Sequence, residues 1–160
     1  MTVCKATLEQ IEEILAVYET ARQFMKKHSN PTQWADRYPP ESLVEKDIAE
    51  GKLYTVIYEG VIEGVFFFDE GPDPTYETIN GAWLNSLPYC VIHRIASSGR
   101  KKGILKTAVE FCSGFCDNIR IDTHTDNFVM QKALQKLGFK PCGTVNLENG
   151  EERIAYQVIR

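Results

Sequence analysis

Val91–Leu105 reads VIHRIASSGRKKGIL. It opens as an apolar strand, passes through a short polar turn with a glycine, gathers Arg100, Lys101 and Lys102, and enters a helix at Gly103. The first N–H groups of a helix have no internal acceptor, and the aligned peptide dipoles place about half a positive charge there. Strand, cationic turn and helix start in this order bring backbone donors and positive charge to one point. A phosphate-bearing cofactor suits such a point, and Gly103 lets a phosphate approach the backbone closely. Taken alone, RKKGIL reads more readily as a solvated basic turn, so the rest of the chain has to decide.

The surrounding composition is that of an ordinary globular domain: 160 residues, 43% hydrophobic and 25% charged, with a net charge of -4. The three cations therefore stand against an acidic background, which argues against a nucleic-acid partner. No apolar run is long enough for a membrane span. MTVCKATLEQ lacks the layout of a secretory signal. Five cysteines, odd in number and without a CxxC pair, fit reduced thiols and a cytoplasmic protein. Cys112 and Cys116 lie one helical turn apart and read as a buried helix face rather than a metal pair; no metal site is expected.

No repeat or linker divides the chain, so residues 1–160 are expected to form one domain. Thr2–Ala6 reads as a first strand. Thr7 and Gln10 form a capping box before a helix whose apolar face is Leu8, Ile11, Ile14, Leu15, Tyr18, Ala21 and Met25, ending near His28. A proline-bounded loop, Pro31–Pro40, carries Trp34 and Tyr38. Helix Glu41–Glu50 and hairpin Leu53–Tyr58/Val61–Asp69 follow. Tyr89–Ser97 is apolar on both alternating sets, as in a central strand covered on both faces. Gly103–Phe115 reads as helix, Ile119–Thr123 as strand, Phe128–Leu137 as helix ended by Gly138, and Cys142–Leu147 with Arg153–Ile159 as a last hairpin. The order predicts an α/β protein: a central mixed sheet with helices on both faces.

The downstream run Ile119–Gly143, IRIDTHTDNFVMQKALQKLGFKPCG, completes the pattern with an asparagine after a strand, then a helix ending in Gly138-Phe139. Together the two runs resemble the GNAT superfamily of acyl-CoA-dependent N-acetyltransferases. Its pyrophosphate motif is Q/R-x-x-G-x-G/A, whose defined positions are occupied here by Arg100, Gly103 and Leu105. Leu105 replaces the usual small residue, and the turn before Arg100 is short for the family. Asn127 and Gly138-Phe139 match the second signature at its usual spacing, while Leu134 stands where the family often has a tyrosine acid. Gln33-Trp34, His93–Ala96 and Asp122–Asn127 are similar to QW, HRIA and DTHxDN segments of a subgroup of small bacterial members.

The resemblance implies a GNAT fold and transfer of an acetyl group from acetyl-CoA to a primary amine by direct attack. Backbone groups of Ile95, Ala96 and Ser97 would pair with the pantetheine arm and the thioester oxygen. Arg100, Lys101, Lys102, Gly103, Ile104 and Leu105 would cradle the pyrophosphate, and Asn127 would bind the cofactor or, on its residue type alone, cap the next helix. The strand Tyr89–Ser97 offers no carboxylate, so His93 and His124 are the candidate bases. A lone histidine in such a strand, as His93 is, is more often a core residue, and His124 reads equally as a helix cap. Tyr89, Tyr76 or a water would replace the missing tyrosine acid, unless thiolate leaves unassisted. Trp34, Tyr38, Tyr76 and Trp83 would line the acceptor pocket for a small amine, close the base of the core, or serve a homodimer contact. The alternative function is a catalytically weak or inactive CoA-binding sensor of the same fold.

Overall fold

Alternation along the strands sorts the apolar side chains into two cores, one on each face of a single eight-stranded mixed sheet. The computed structural model describes residues 1–160. In chain order the elements are β1 (Thr2–Lys5), α1 (Ile11–Lys27), α2 (Glu41–Ala49), β2 (Leu53–Tyr58), β3 (Val61–Glu70), β4 (Asn80–Gly81), β5 (Cys90–Ser97), α3 (Ile104–Cys112), β6 (Asn118–Thr123), α4 (Phe128–Lys136), β7 (Lys140–Asn146) and β8 (Glu152–Ile159). The sheet order is β1-β2-β3-β5-β6-β8-β7-β4. All neighbours are antiparallel except β5 and β6, which are parallel. Ile14 and Tyr18 of α1 and Val44 and Ile48 of α2 pack with Val65, Phe67 and Val91 on one face. Ile104, Ala108, Val109 and Leu134 of α3 and α4 pack with Phe66, Phe68, Ile92 and Ile121 on the other. Each of the Val, Leu, Ile and Phe side chains contributes about 1.5–3 kcal/mol on leaving water, which fixes the helices to their faces. The mixed α/β architecture is the one expected from the element order.

Three details depart from the sequence reading. Leu8 is exposed, because Leu8–Gln10 forms a 3-10 turn ahead of α1 and its tighter period turns Leu8 off the helical stripe. Val17 takes a core position beside Tyr18 instead. The predicted contact within the capping box is present, with the Thr7 N–H donating to Gln10 Oε1 at 3.0 Å. Helix α3 stops at Cys112 rather than Phe115: the Ser113 hydroxyl donates to Val109 O, and the Gly114 N–H to Phe111 O. Cys112 is fully buried, whereas Cys116 lies beyond the helix with its thiol toward Asn118 O and Pro88 O. Strand β4 has only two residues and no apolar pattern to betray it. A Cβ on Gly81 would lie 2.2 Å from Cys142 O, so glycine is what allows β4 to pair with β7.

Candidate functional site

Strands β5 and β6 pair only at Cys90–Ile119 and Val91–Arg120 and then part. From Ile92 to Ser97, β5 keeps its β3 partner on one side and has no strand on the other. The parting opens a cleft of about 940 Å³ lined by five consecutive residues of β5, Val91–Ile95, and three of β6, Ile121–Thr123. Successive residues of a strand face opposite sides of a sheet. The cleft opens between the parted strands and reaches from Met25 of α1 to Asn127 and Met130 at the start of α4.

A β-bulge shapes its wall. Phe67 pairs with His93 and Val65 with Ala96, so β5 carries one extra residue, and Arg94 takes φ +49. That left-handed conformation costs a non-glycine residue about 1–3 kcal/mol, so the surroundings must hold it. Three contacts do. Tyr18 OH donates to Arg94 O at 3.0 Å. Asp47 of α2, buried, accepts from Arg94 Nε and Nη2 at 2.9 and 2.8 Å. The guanidinium lies 4.3 Å from the Phe67 ring centre. Burial pushes the Asp47 carboxyl above its ordinary range, although Arg94 pulls it back. Burial likewise raises the Tyr18 phenol, which remains a donor. The bulge puts His93 and Arg94 on the same face and leaves the β5 backbone beyond them on the open edge.

His93 is not a lone core histidine. Its Nε2 lies 2.8 Å from Asp73 Oδ2 and its Nδ1 3.8 Å from Asp122 Oδ2, with 20% of its side chain exposed to the cleft. Asp122 Oδ2 also accepts from Tyr76 OH at 2.6 Å. Asp73 is held by the Thr75 N–H at Oδ1, and its own N–H donates to Tyr89 OH at 2.8 Å. Burial would raise the Asp73 carboxyl, but the hydrogen bond and charge of His93, together with the Thr75 N–H, outweigh it and hold the group below its ordinary value. An ionised Asp73 accepts the hydrogen bond from His93 Nε2–H, and Nδ1 is the ring nitrogen that faces Asp122. Burial and the Asp122 charge keep the Tyr76 phenol protonated as a donor. The carboxylate missing from β5 is thus supplied by β6 and by the turn after β3. The sequence reading named Asp122 only as the first residue of the DTHxDN-like segment. The signal lay in the register: continuing Val91–Arg120 two residues along parallel strands sets His93 opposite Asp122.

The other expected residues are distributed as follows. His124 Nδ1 accepts the Asp126 N–H at 3.0 Å, and its Nε2 lies 3.5 Å from Thr32 Oγ1. Asn127 caps α4, its Oδ1 accepting the Met130 N–H at 3.0 Å, while its Nδ2 donates to Gln33 Oε1 at 2.9 Å; it also lines the cleft. Trp34, Tyr38 and Phe67 form an aromatic wall. Tyr76 and Trp83 pack on each other in the core, the Trp83 Nε1–H donating to Tyr76 O at 3.0 Å. Tyr89 lies beneath Asp73, with the Arg120 guanidinium 3.8 Å from its ring centre. The structure thus brings His93, Trp34, Tyr38, Asn127 and Ile95 to one cleft and sets His124, Tyr89 and Trp83 into supporting contacts. Leu134 is fully buried in the second core.

The turn after β5 is open at its backbone. The first α3 bond runs from the Thr107 N–H to Gly103 O at 2.9 Å, so the N–H groups of Ile104, Leu105 and Lys106 have no acceptor within the helix. Gly103 caps it at φ +91. The Arg100 side chain turns to β3, its Nε 3.1 Å from Glu63 Oε2 and its Nη2 donating to Ile62 O at 3.2 Å. Ser98 OH also donates to the buried Glu63. Lys101 Nζ sits 3.6 Å above the Tyr58 ring, and Lys102 is exposed. Ile104 reaches Gly64 of β3, where a Cβ would lie 2.3 Å from its Cγ2. This close approach fixes the free N–H groups beside the mouth of the split. Backbone donors there and an unpaired strand edge leading inward fit a phosphate-bearing ligand with an extended amide arm.

No family model matches the sequence, and no curated protein matches it. Solved structures do. A GNAT-family acetyltransferase from Streptococcus agalactiae 2603 is 30% identical over 99% of this chain and 95% of its own, with a TM-score of 0.89. One from Listeria monocytogenes 4b F2365 is 21% identical over 99% and 94%, TM-score 0.70. The NatB acetyltransferase complex bound to CoA and MES shares the fold at 12% identity and TM-score 0.64, over 99% of each chain. The likeness to the streptococcal protein covers 99% of the chain at 30% identity, and the protein belongs to the GNAT family of acetyltransferases.

Proposed function

We propose that the protein transfers an acetyl group from acetyl-CoA to the primary amine of a small molecule or peptide by direct attack. The observation that carries this reading is His93, set between Asp73 and Asp122 where β5 and β6 part. The NatB structure, a relative in fold, is bound to CoA. When bound, acetyl-CoA supplies the activated thioester. The free N–H groups of Ile104–Lys106 hold its pyrophosphate, with Lys101 and Lys102 beside them, and the open edge at Ile95–Ser97 pairs with its arm. A preorganised backbone donor at the carbonyl oxygen contributes about 3–4 kcal/mol. The amine enters past Trp34 and Tyr38 into a wall that includes Glu70 and Glu148, carboxylates suited to a cationic acceptor. As nitrogen bonds to the acetyl carbon, its proton passes to His93 Nδ1, where it lies between the imidazole and the Asp122 carboxylate. Asp73 keeps Nε2–H in place, and the C–S electron pair leaves with sulfur.

Buried Leu134 favours one alternative, a CoA-binding sensor of this fold without transfer activity, because the position of the family's tyrosine acid presents no donor. A thiol pKa of ~8.5 makes thiolate a fair leaving group without help, so we hold to the enzyme. The test is binding followed by turnover. Acetyl-CoA at a hundred times its Kd stabilises the native state by about 2.7 kcal/mol, a rise in Tm of roughly 5–10 °C. No shift refutes both readings. With an amine panel, thiol release is expected, and His93→Gln should lower kcat by about 10²–10⁴ while leaving cofactor affinity unchanged. Binding without release on any amine would establish the sensor.

A further inference from the structure

Thr123, the last residue of β6, carries a hydroxyl with no hydrogen-bond partner, although the residue is 1% exposed. A buried hydroxyl left unpaired destabilises the folded chain, and valine would fill the same volume without that cost. The position is specific. Asp122 faces the α1/α2 side with His93, and by strand alternation Thr123 faces the α3/α4 side with Ile121. Both line the cleft, and Thr123 stands opposite the open edge of β5. Backbone pairing of β6 with β8 continues through Thr123–Ile154 and leaves the side chain out of the ladder.

We infer that the Thr123 hydroxyl is a cofactor-binding donor: it hydrogen-bonds a carbonyl oxygen of the acyl-pantetheine arm as that arm enters the split. This rests on the acetyl-CoA reading above. Ligand-free Thr123 has no acceptor for its hydroxyl, and the arm entering the cleft supplies the acceptor that the protein lacks. The amine and the thioester then approach from opposite faces, His93 and Asp122 serving one and Thr123 the other.

The experiment is calorimetric titration of CoA and acetyl-CoA into wild type, Thr123→Val and Thr123→Ser, with the melting temperature of each ligand-free protein. Thr123→Val is expected to bind about ten-fold more weakly while melting at or above wild type. Thr123→Ser should bind within about two-fold of wild type. Weakening for acetyl-CoA alone places the donor on the thioester oxygen; equal weakening for both ligands places it on an amide of the arm. Wild-type affinity in Thr123→Val overturns the inference and leaves the enzyme reading standing. A lower melting point for Thr123→Val with unchanged affinity also overturns it, because the hydroxyl is then structural. Failure of wild type to bind either ligand refutes the acetyl-CoA reading itself.

Discussion

Gly64→Ala tests how the sheet positions the open turn before α3. A Cβ at residue 64 would lie 2.3 Å from Ile104 Cγ2, 3.2 Å from its Cδ1 and 3.3 Å from Ala96 O. Relief of the first contact requires ~1 Å of movement to reach an ordinary carbon–carbon separation. A β-branched side chain in a helix keeps one strongly preferred χ1, and Ile104 is 4% exposed in the second core, so a rotamer change that cleared the space would be costly. The first turn of α3 must lift from β3. Overpacking of this kind costs about 1–3 kcal/mol, a fall in Tm of roughly 3–10 °C for a chain of this size. Shifting the N–H groups of Ile104–Lys106 by the same ~1 Å takes a normal hydrogen bond out of range, so CoA affinity should fall about ten-fold. Thermal melts and calorimetric titration of CoA measure the two effects separately. Ile104→Ala removes the clashing atoms, so Gly64→Ala and Ile104→Ala should be non-additive, coupled by about 1–3 kcal/mol. Additive losses, or a Gly64→Ala protein with wild-type melting and wild-type affinity, would refute the argument that this glycine seats the turn.

Asp73→Asn should lower stability by about 1–2 kcal/mol at pH 7. Because the folded Asp73 carboxyl lies below its unfolded value, its contribution is present above about pH 4 and disappears as pH falls through the folded value. Urea melts should therefore show the deficit closing below about pH 4; a deficit unchanged at pH 3 would show that charge at Asp73 is irrelevant. Leu134→Tyr places a larger, polar side chain in a fully buried site. It should lower Tm without raising turnover, and a gain of several orders of magnitude in thiol release would show that leaving-group protonation limits the enzyme.

What the sequence revealed and what it hid follow from the range of the interactions involved. Capping, helical stripes, alternation and the glycine-marked turns are local, and they placed α1 through β8 with few errors. The phosphate turn is also local, since a helix start leaves its N–H groups free whatever follows. Arg100 shows where locality ends: its motif position suggested an anion contact, yet its guanidinium turns to Glu63, thirty-seven residues upstream, a partner supplied only by β3–β5 pairing. The sequence named His93 as a candidate base, but its carboxylate partners were hidden for the same reason. Asp73, His93 and Asp122 come from a turn and two strands, and none is unusual in its own neighbourhood. Their meeting depends on β5 and β6 being parallel neighbours in one register and on a bulge that no propensity at Arg94 predicts. The bulge is a tertiary product: Tyr18, Asp47 and Phe67, from α1, α2 and β3, hold a strained residue whose displacement opens the strand edge. In this fold the candidate site sits where sheet pairing fails, and such a failure is legible only once the pairs around it are known.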